Sequence, residues 1–161
     1  MEREEVLIEF PELKNLFEQF KEMYKKLDDA YSEKYDRSLP ITEVLFDRWE
    51  RASKLGFGKG TSIYDSALVF GKPIVGKSVW IGPFTIIDGS GGLEIGRNCT
   101  ISSSVHIYSH DNLKATLMPA QFEIEKSPVK IGNNCYVAPN SIIAKGVTLG
   151  NFCVVAANSL V

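Results

Sequence analysis

From about residue 75 onward, aliphatic side chains recur every six positions. Val75, Ile81 and Ile87 make one set, and Ile95, Ile101 and Ile107 a second. Ile131, Val137, Ile143, Leu149, Val155 and Val161 make the third. A small residue often follows directly, as at Gly76, Gly82, Gly96, Gly132, Ala138 and Ala144. Four places after an aliphatic stands a second small or β-branched residue, including Val79, Thr85, Cys99, Val105, Cys135, Ser141, Val147 and Cys153. Neither an α-helical period nor simple alternation gives this pattern, so it is an internal hexapeptide repeat. Each hexad is a short strand and a tight turn, and three hexads make one triangular coil. The aliphatic fills the prism, while the small residue sits where the wall turns. Stacked coils bury each other's apolar faces, so a single coil has no stability of its own.

The first part of the chain has a different period. Leu13, Leu16, Phe17, Phe20, Tyr24, Leu27 and Tyr31 form one stripe of a helix expected over 11–31. A second helix is expected from about Pro40 to Leu55, with Val44, Leu45, Trp49, Ala52 and Leu55 on one side and Gly56 as its stop. SEKYDRSL (32–39) reads as the linker between them. Packing is the simplest role for both stripes, and covering a substrate site is the functional alternative. The organisation expected is an N-terminal helical segment over 1–60 and a β-helix domain over 61–161, with a loop extruded at about 111–128.

The composition narrows the classes of partner. The 161 residues are 44% hydrophobic and 24% charged, with a net charge of −2. Nothing in that balance points to nucleic acid. The charged start MEREEVLIEF lacks the apolar core of a signal peptide, and no apolar run approaches the roughly 20 residues that span a bilayer. Cys99, Cys135 and Cys153 share the small inward position of the hexad, which fits packing better than a reactive thiol. An odd number of cysteines without an export signal points to a reducing cytoplasm.

Both histidines of the chain, His106 and His110, fall in VHIYSHD (105–111). On a strand, residues four apart lie about 13 Å from each other. One zinc needs each ligand about 2 Å away, so the pair does not share a metal there. His106 falls in the sixth position of the hexad that begins at Ile101, as a structural residue or a neighbour of substrate. His110 stands where the repeat gives way to a long interruption that lasts until Ile131.

Four segments carry a family resemblance: DRWERASKLGFGKGTSIYDS (47–66), VWIGPFTIIDGSGGLEIG (79–96), VHIYSHD (105–111) and SPVKIGNNCYVAPNSIIAKGVTLG (127–150). Over about residues 40–161 the chain resembles the hexapeptide-repeat acyltransferases, in particular the sugar O- and N-acetyltransferases. The resemblance implies a left-handed parallel β-helix, against the usual right-handed crossover preference. It implies a homotrimer with active sites between subunits, acetyl-CoA as co-substrate, and no metal. It also implies acetyl transfer to a hydroxyl or amine of a sugar, a sugar nucleotide or a polysaccharide precursor. The histidine at the start of the extruded loop corresponds to the general base, which places that role on His110.

The chemistry agrees. A sugar hydroxyl is a poor nucleophile toward a thioester at neutral pH, and an imidazole titrating near ~6.5 can take its proton as the bond forms. Thiolate leaves well, so no covalent nucleophile is needed, and a backbone N–H suits the oxyanion. The other ring nitrogen needs an acceptor. Asp111, Glu123, Glu125 or a backbone carbonyl are the candidates. Asp88, at the head of DGSGG (88–92), is expected near the acceptor sugar or as a turn former. Outward-pointing Trp80, like Phe84, suits sugar stacking or a trimer contact, with the trimer contact preferred. The resemblance places CoA against backbone near Pro139 and Ala157, with Lys145 or Lys130 as candidates for its phosphates.

Two alternatives stay in view. One is a non-catalytic β-helix scaffold. The other is a carbonic-anhydrase-like metalloenzyme, which needs three histidines where this chain has two. The similar enzymes continue past the point equivalent to Val161 with a basic segment that closes the CoA groove. On that ground activity of the 161-residue form is less secure.

Overall fold

The hexad aliphatics from Val75 to Val155 point into one shaft, whereas Val161 is exposed. In a computed structural model that describes residues 3–161, Val75, Ile81, Ile87, Ile95, Ile101, Ile107, Ile131, Val137, Ile143 and Val155 are all buried. Leu149 is half-buried. The small residues four places on, from Val79 to Ser141, are buried with them. Their hydroxyls are satisfied by corner carbonyls: Thr85 Oγ1 donates to Gly82 O at 3.1 Å and Ser141 Oγ to Ala138 O at 2.9 Å. Cys99 and Cys135 lie in the same shaft and all three thiols are free. Burial pushes the Cys99 thiol up, as expected of a packing residue.

The walls are three parallel sheets of a left-handed β-helix. The first face stacks Ser62–Ile63, Trp80–Ile81, Thr100–Ile101, Tyr136–Val137 and Val154–Val155. The second stacks Leu68–Gly71, Ile86–Gly89, His106–Ile107 and Ile142–Ile143. The third stacks Ile74–Val75, Leu93–Ile95, Val129–Ile131 and Thr148–Leu149. Coil length is 18 residues from Ser62 to Trp80 and from Tyr136 to Val154. It is 20 from Trp80 to Thr100, because DGSGG adds to the corner between the second and third faces. It is 36 from Thr100 to Tyr136, because a long loop leaves the next coil at that same corner. The root of this loop is a two-stranded antiparallel ladder, His110–Asp111 against Glu125–Lys126.

The chain divides into two compact units, with the boundary after Asp47 and not near residue 60. In the first unit, helix α1 spans Arg3–Glu9, α2 spans Glu12–Tyr35 and α3 spans Ile41–Leu45. The first two residues of the expected helical segment lie outside the described residues. Helix α2 runs four residues beyond the expected end at Tyr31. Glu33 and Lys34 are good helix formers, and the chain stops only at Asp36, which turns left-handed while its N–H bonds Ser32 O. The α2 stripe lines an apolar groove with Leu7 and Ile41.

The helix expected from Pro40 to Leu55 is two helices. Phe46 is extended (φ −110°, ψ 132°) after α3, and α4 spans Arg48–Lys54. Asp47 followed by Glu50 is a helix-start pattern inside the apolar stripe, and that local signal prevails. The single stripe is lost with it: Val44 and Ala52 are buried, whereas Leu45, Trp49 and Leu55 are exposed. Ala52 joins the β-helix core with Phe57 and Ile63. Arg51 donates to the carbonyls of Tyr64 and Ala67, the latter at 2.7 Å, so α4 belongs to the first coil.

Most corners need a residue at positive φ, and Asn98, Asn134, Asn140 and Asn158 supply it cheaply. Phe152 occupies the same conformation at φ 59° with 77% of its surface exposed. Phe152→Asn is therefore expected to raise stability by about 0.5–1 kcal/mol. A lower melting temperature for the variant would contradict strain at this corner.

Candidate functional site

Three successive coils meet at the corner between the second and third faces. Asp88 lies in the last two residues of its strand there on one coil. Ser109 and His110 leave the wall there on the next, and Ala144–Lys145 turn there on the third. The Asp88 side chain, at the head of DGSGG, lies against the next coil and is fully buried. Its Oδ1 accepts the Ser90 N–H at 2.9 Å. Its Oδ2 accepts the Ser109 N–H at 2.8 Å, the Ser109 hydroxyl at 3.0 Å and His110 Nδ1 at 2.6 Å. Ser109 Oγ in turn accepts the Gly91 N–H at 2.7 Å. Only glycine fits at 91, since a Cβ there would lie 2.1 Å from Ser109 O.

Burial alone would push the Asp88 carboxyl up. The hydrogen bonds from Ser90, Ser109 and His110 outweigh it and hold the group well below the usual carboxylate range. An ionised carboxylate only accepts, so the proton shared with His110 resides on Nδ1. The neutral ring is thereby left with Nε2 unprotonated. The imidazole is 36% exposed and lines a cleft of about 450 Å³ with Tyr108, Asn112, Ile124, Ile142 and Lys145. An oriented base beside an open cleft can take a proton from a bound hydroxyl or amine.

The candidate acceptors for the ring, Asp111, Glu123 and Glu125, do not hold it; Asp88 does. Asp88 was expected near the sugar or as a turn former: its Oδ1 does accept the Ser90 N–H in the turn, while the side chain is buried beneath the histidine and does not line the cleft. Asp111 and Glu125 instead bind Lys145, at 2.5 and 2.8 Å. Those carboxylates hold the Lys145 ammonium above the usual lysine range. Lys145 therefore does not stand free for a phosphate, and Lys130 lies 3.8 Å from Glu94 on the third face.

His106 faces outward on the second face, register partner of the cleft residue Ile142. Its Nδ1 is 3.4 Å from the Tyr108 hydroxyl and its ring stands edge-on to that of Tyr108. Trp80 lies on the first face, edge-on to Tyr64 at 5.7 Å and over Gly82, away from the cleft residues. Pro139 and Ala157 are exposed at the corner between the first and second faces, on adjacent coils, where the Asn158 N–H donates to Pro139 O at 3.0 Å. Among the described residues, no three His, Cys, Asp or Glu side chains cluster as metal ligands.

Tyr108, Asn112, Ile124 and Ile142 were not anticipated as cleft residues. One signal was available: the hexad is broken at DGSGG and again at YSHD, one coil apart, which places both breaks at one corner.

The lowered Asp88 carboxyl makes a pH prediction. A depressed folded value adds stability that is full above the unfolded carboxylate range and is lost as pH falls through the folded one. The destabilisation caused by Asp88→Asn should be largest near neutral pH and should shrink progressively below about pH 4. Urea unfolding of both proteins across that range checks it; an equal deficit at neutral and acid pH would mean that the Asp88 charge does not stabilise the fold.

Residues 128–161 match the family described as bacterial transferase hexapeptide (six repeats). No curated protein matches the chain. Among solved structures, a hexapeptide-repeat-containing acetyltransferase from Vibrio cholerae O1 biovar eltor, complexed with acetyl coenzyme A, is 19% identical with a TM-score of 0.50. That match covers 92% of this chain and 79% of the other. A point mutant of AntD, an N-acyltransferase from Bacillus cereus, in complex with dTDP and coenzyme A, is 21% identical over 75% of this chain and 83% of its own, with a TM-score of 0.45. AntD with dTDP and 3-hydroxybutyryl-CoA is 21% identical over 71% and 82%, with a TM-score of 0.39. The chain thus resembles the hexapeptide-repeat acyltransferases, with the bacterial transferase hexapeptide motif on its last coils and the left-handed β-helix as its fold.

Proposed function

We propose that this protein is a CoA-dependent acyltransferase that moves acetyl from acetyl-CoA to a hydroxyl or amine of a sugar or sugar nucleotide. The observation that carries this reading is the 2.6 Å contact between His110 Nδ1 and a fully buried, ionised Asp88. A scaffold has no use for a buried charge that fixes the tautomer of a half-exposed imidazole, and burying one is costly. The acetyltransferase from Vibrio cholerae, which shares the fold, has acetyl coenzyme A bound.

In this reading His110 Nε2 takes the proton from the acceptor O–H or N–H as that atom attacks the thioester carbonyl. Asp88 stabilises the imidazolium and keeps the ring in place, as a positioning residue and not a sugar ligand. The C–S bond breaks as the new ester or amide forms, and the proton on Nε2 passes to the departing thiolate. Tyr108 and Ile142 line the cleft on the side proposed for the acceptor, and His106 stands behind them as the register partner of Ile142. Pro139 and Ala157 are the backbone positions proposed to hold CoA along the opposite edge of the second face. No step requires a metal.

The assembly proposed is a homotrimer with sites between subunits. The outer column of the second face runs Leu68, Ile86, His106, Ile142 and Leu160, and is largely apolar. The corresponding third-face column carries Ile74, Glu94, Lys130 and Thr148. Apolar matching of the second face suits a neighbour. The setting proposed is the cytoplasm, where three free thiols persist. No described helix is long and apolar enough to cross a membrane.

Acetyl-CoA with a panel of amino- and hydroxy-sugars, followed by free thiol release, tests the reaction. His110→Ala is expected to lower kcat by about 10²–10⁴-fold, and Asp88→Asn by ~10²-fold or more. Thiol release by His110→Ala at the wild-type rate would remove His110 as the base. Binding is checked separately: CoA at 100 times its Kd should stabilise the fold by about 2.7 kcal/mol. No shift in melting temperature with CoA, together with no thiol release, would favour the scaffold.

A further inference from the structure

Two carboxylates face each other beside the histidine. Asp111 and Glu125 are direct partners in the antiparallel ladder at the root of the loop, and the neighbouring pair is His110 with Lys126. Like charges opposite each other on paired strands repel. Lys145 enters from the next coil and answers both, with Nζ 2.5 Å from Asp111 Oδ2 and 2.8 Å from Glu125 Oε2. Its side chain is only 24% exposed. The second oxygen of Glu125 is held at 2.5 Å by Lys114 from the loop itself. Lys145 is thus the cation that joins the two strands of the ladder to the wall.

We propose that Lys145 is a positioning residue that locks the His110–Asp111 strand to the β-helix wall and so fixes where the His110 imidazole stands over Asp88. The ring is then held from two sides. Asp88 sets its rotation through Nδ1, and Lys145 sets its backbone through the adjacent Asp111. The kinetic consequence rests on the acyltransfer reading; the structural one does not.

Lys145→Met keeps the unbranched stem of the side chain and removes the charge. In the full chain, amide exchange over residues 110–127 is expected to speed up ~10-fold as the ladder opens locally, with Ile101 and Val137 unchanged. Unchanged exchange over 110–127 would overturn the proposal. With acetyl-CoA, kcat should fall about 10-fold, since misplacing a catalytic group is costly, while KM for acetyl-CoA stays constant. A raised KM with unaltered kcat would make Lys145 a phosphate ligand and overturn it too. Adding Glu125→Gln removes the facing charge and should restore part of the lost kcat; a double variant no better than the single would contradict the repulsion. If the wild type transfers no acyl group, the functional reading fails and amide exchange alone decides the role of Lys145.

Discussion

Everything in the β-helix depends on stacking each coil on the next through parallel pairing of very short strands. Two to four residues per wall leave little room for error. The inward aliphatic must fill the shaft, and the residue four places on must be small enough for the corner to close. Apart from the corner after Ile107, where the residue four places on is Asp111 in the loop, both conditions hold from Val75 to Ser141. They explain why three cysteines, a threonine and a serine share one structural role: each is small, and each polar atom has a corner carbonyl within reach. A regular wall of this kind carries no chemistry. Its side chains face either a dry shaft or an outer face whose pattern repeats.

The chemistry sits where that regularity fails twice at one corner. At DGSGG, where the coil gains residues, the Asp88 side chain is buried against the next coil. One coil later the chain leaves the wall altogether and carries His110 over that carboxylate. The following coil resumes the repeat and brings Lys145 against the base of the loop. Each coil contributes one element, and the parallel stacking of the coils brings together residues that are far apart in sequence. The electrostatics run in one direction. Donors from Ser90, Ser109 and His110 keep Asp88 ionised despite burial, and that charge in turn keeps the proton on Nδ1.

The fold was legible because the hexad is a strict steric code, and the placement of His110 followed from the break in that code. The orienting group was less legible. Asp111 and Glu125 are nearer to His110 in sequence or along the loop, whereas Asp88 is reached only across the stack. Lys145 read as a candidate for the CoA phosphates because its partners sit on an excursion whose return path the repeat does not encode. In the helical part, one apolar stripe concealed two helices. Asp47 and Glu50 start a helix in the middle of that stripe, and a local capping signal outweighed the long-range period. The boundary between the units moved with it, since α4 packs on the first coil through Arg51 and Ala52.

The central claim is that a buried carboxylate holds His110 as an Nδ1–H imidazole with Nε2 free to accept a proton. Nitrogen NMR of the labelled ring tests it most directly. At a pH where the ring is neutral, Nδ1 should report as the protonated nitrogen and Nε2 as the bare one, and Asp88→Asn should abolish that preference. A neutral ring with its proton on Nε2 in the wild-type protein would contradict the account, because that tautomer cannot serve as the base at the cleft.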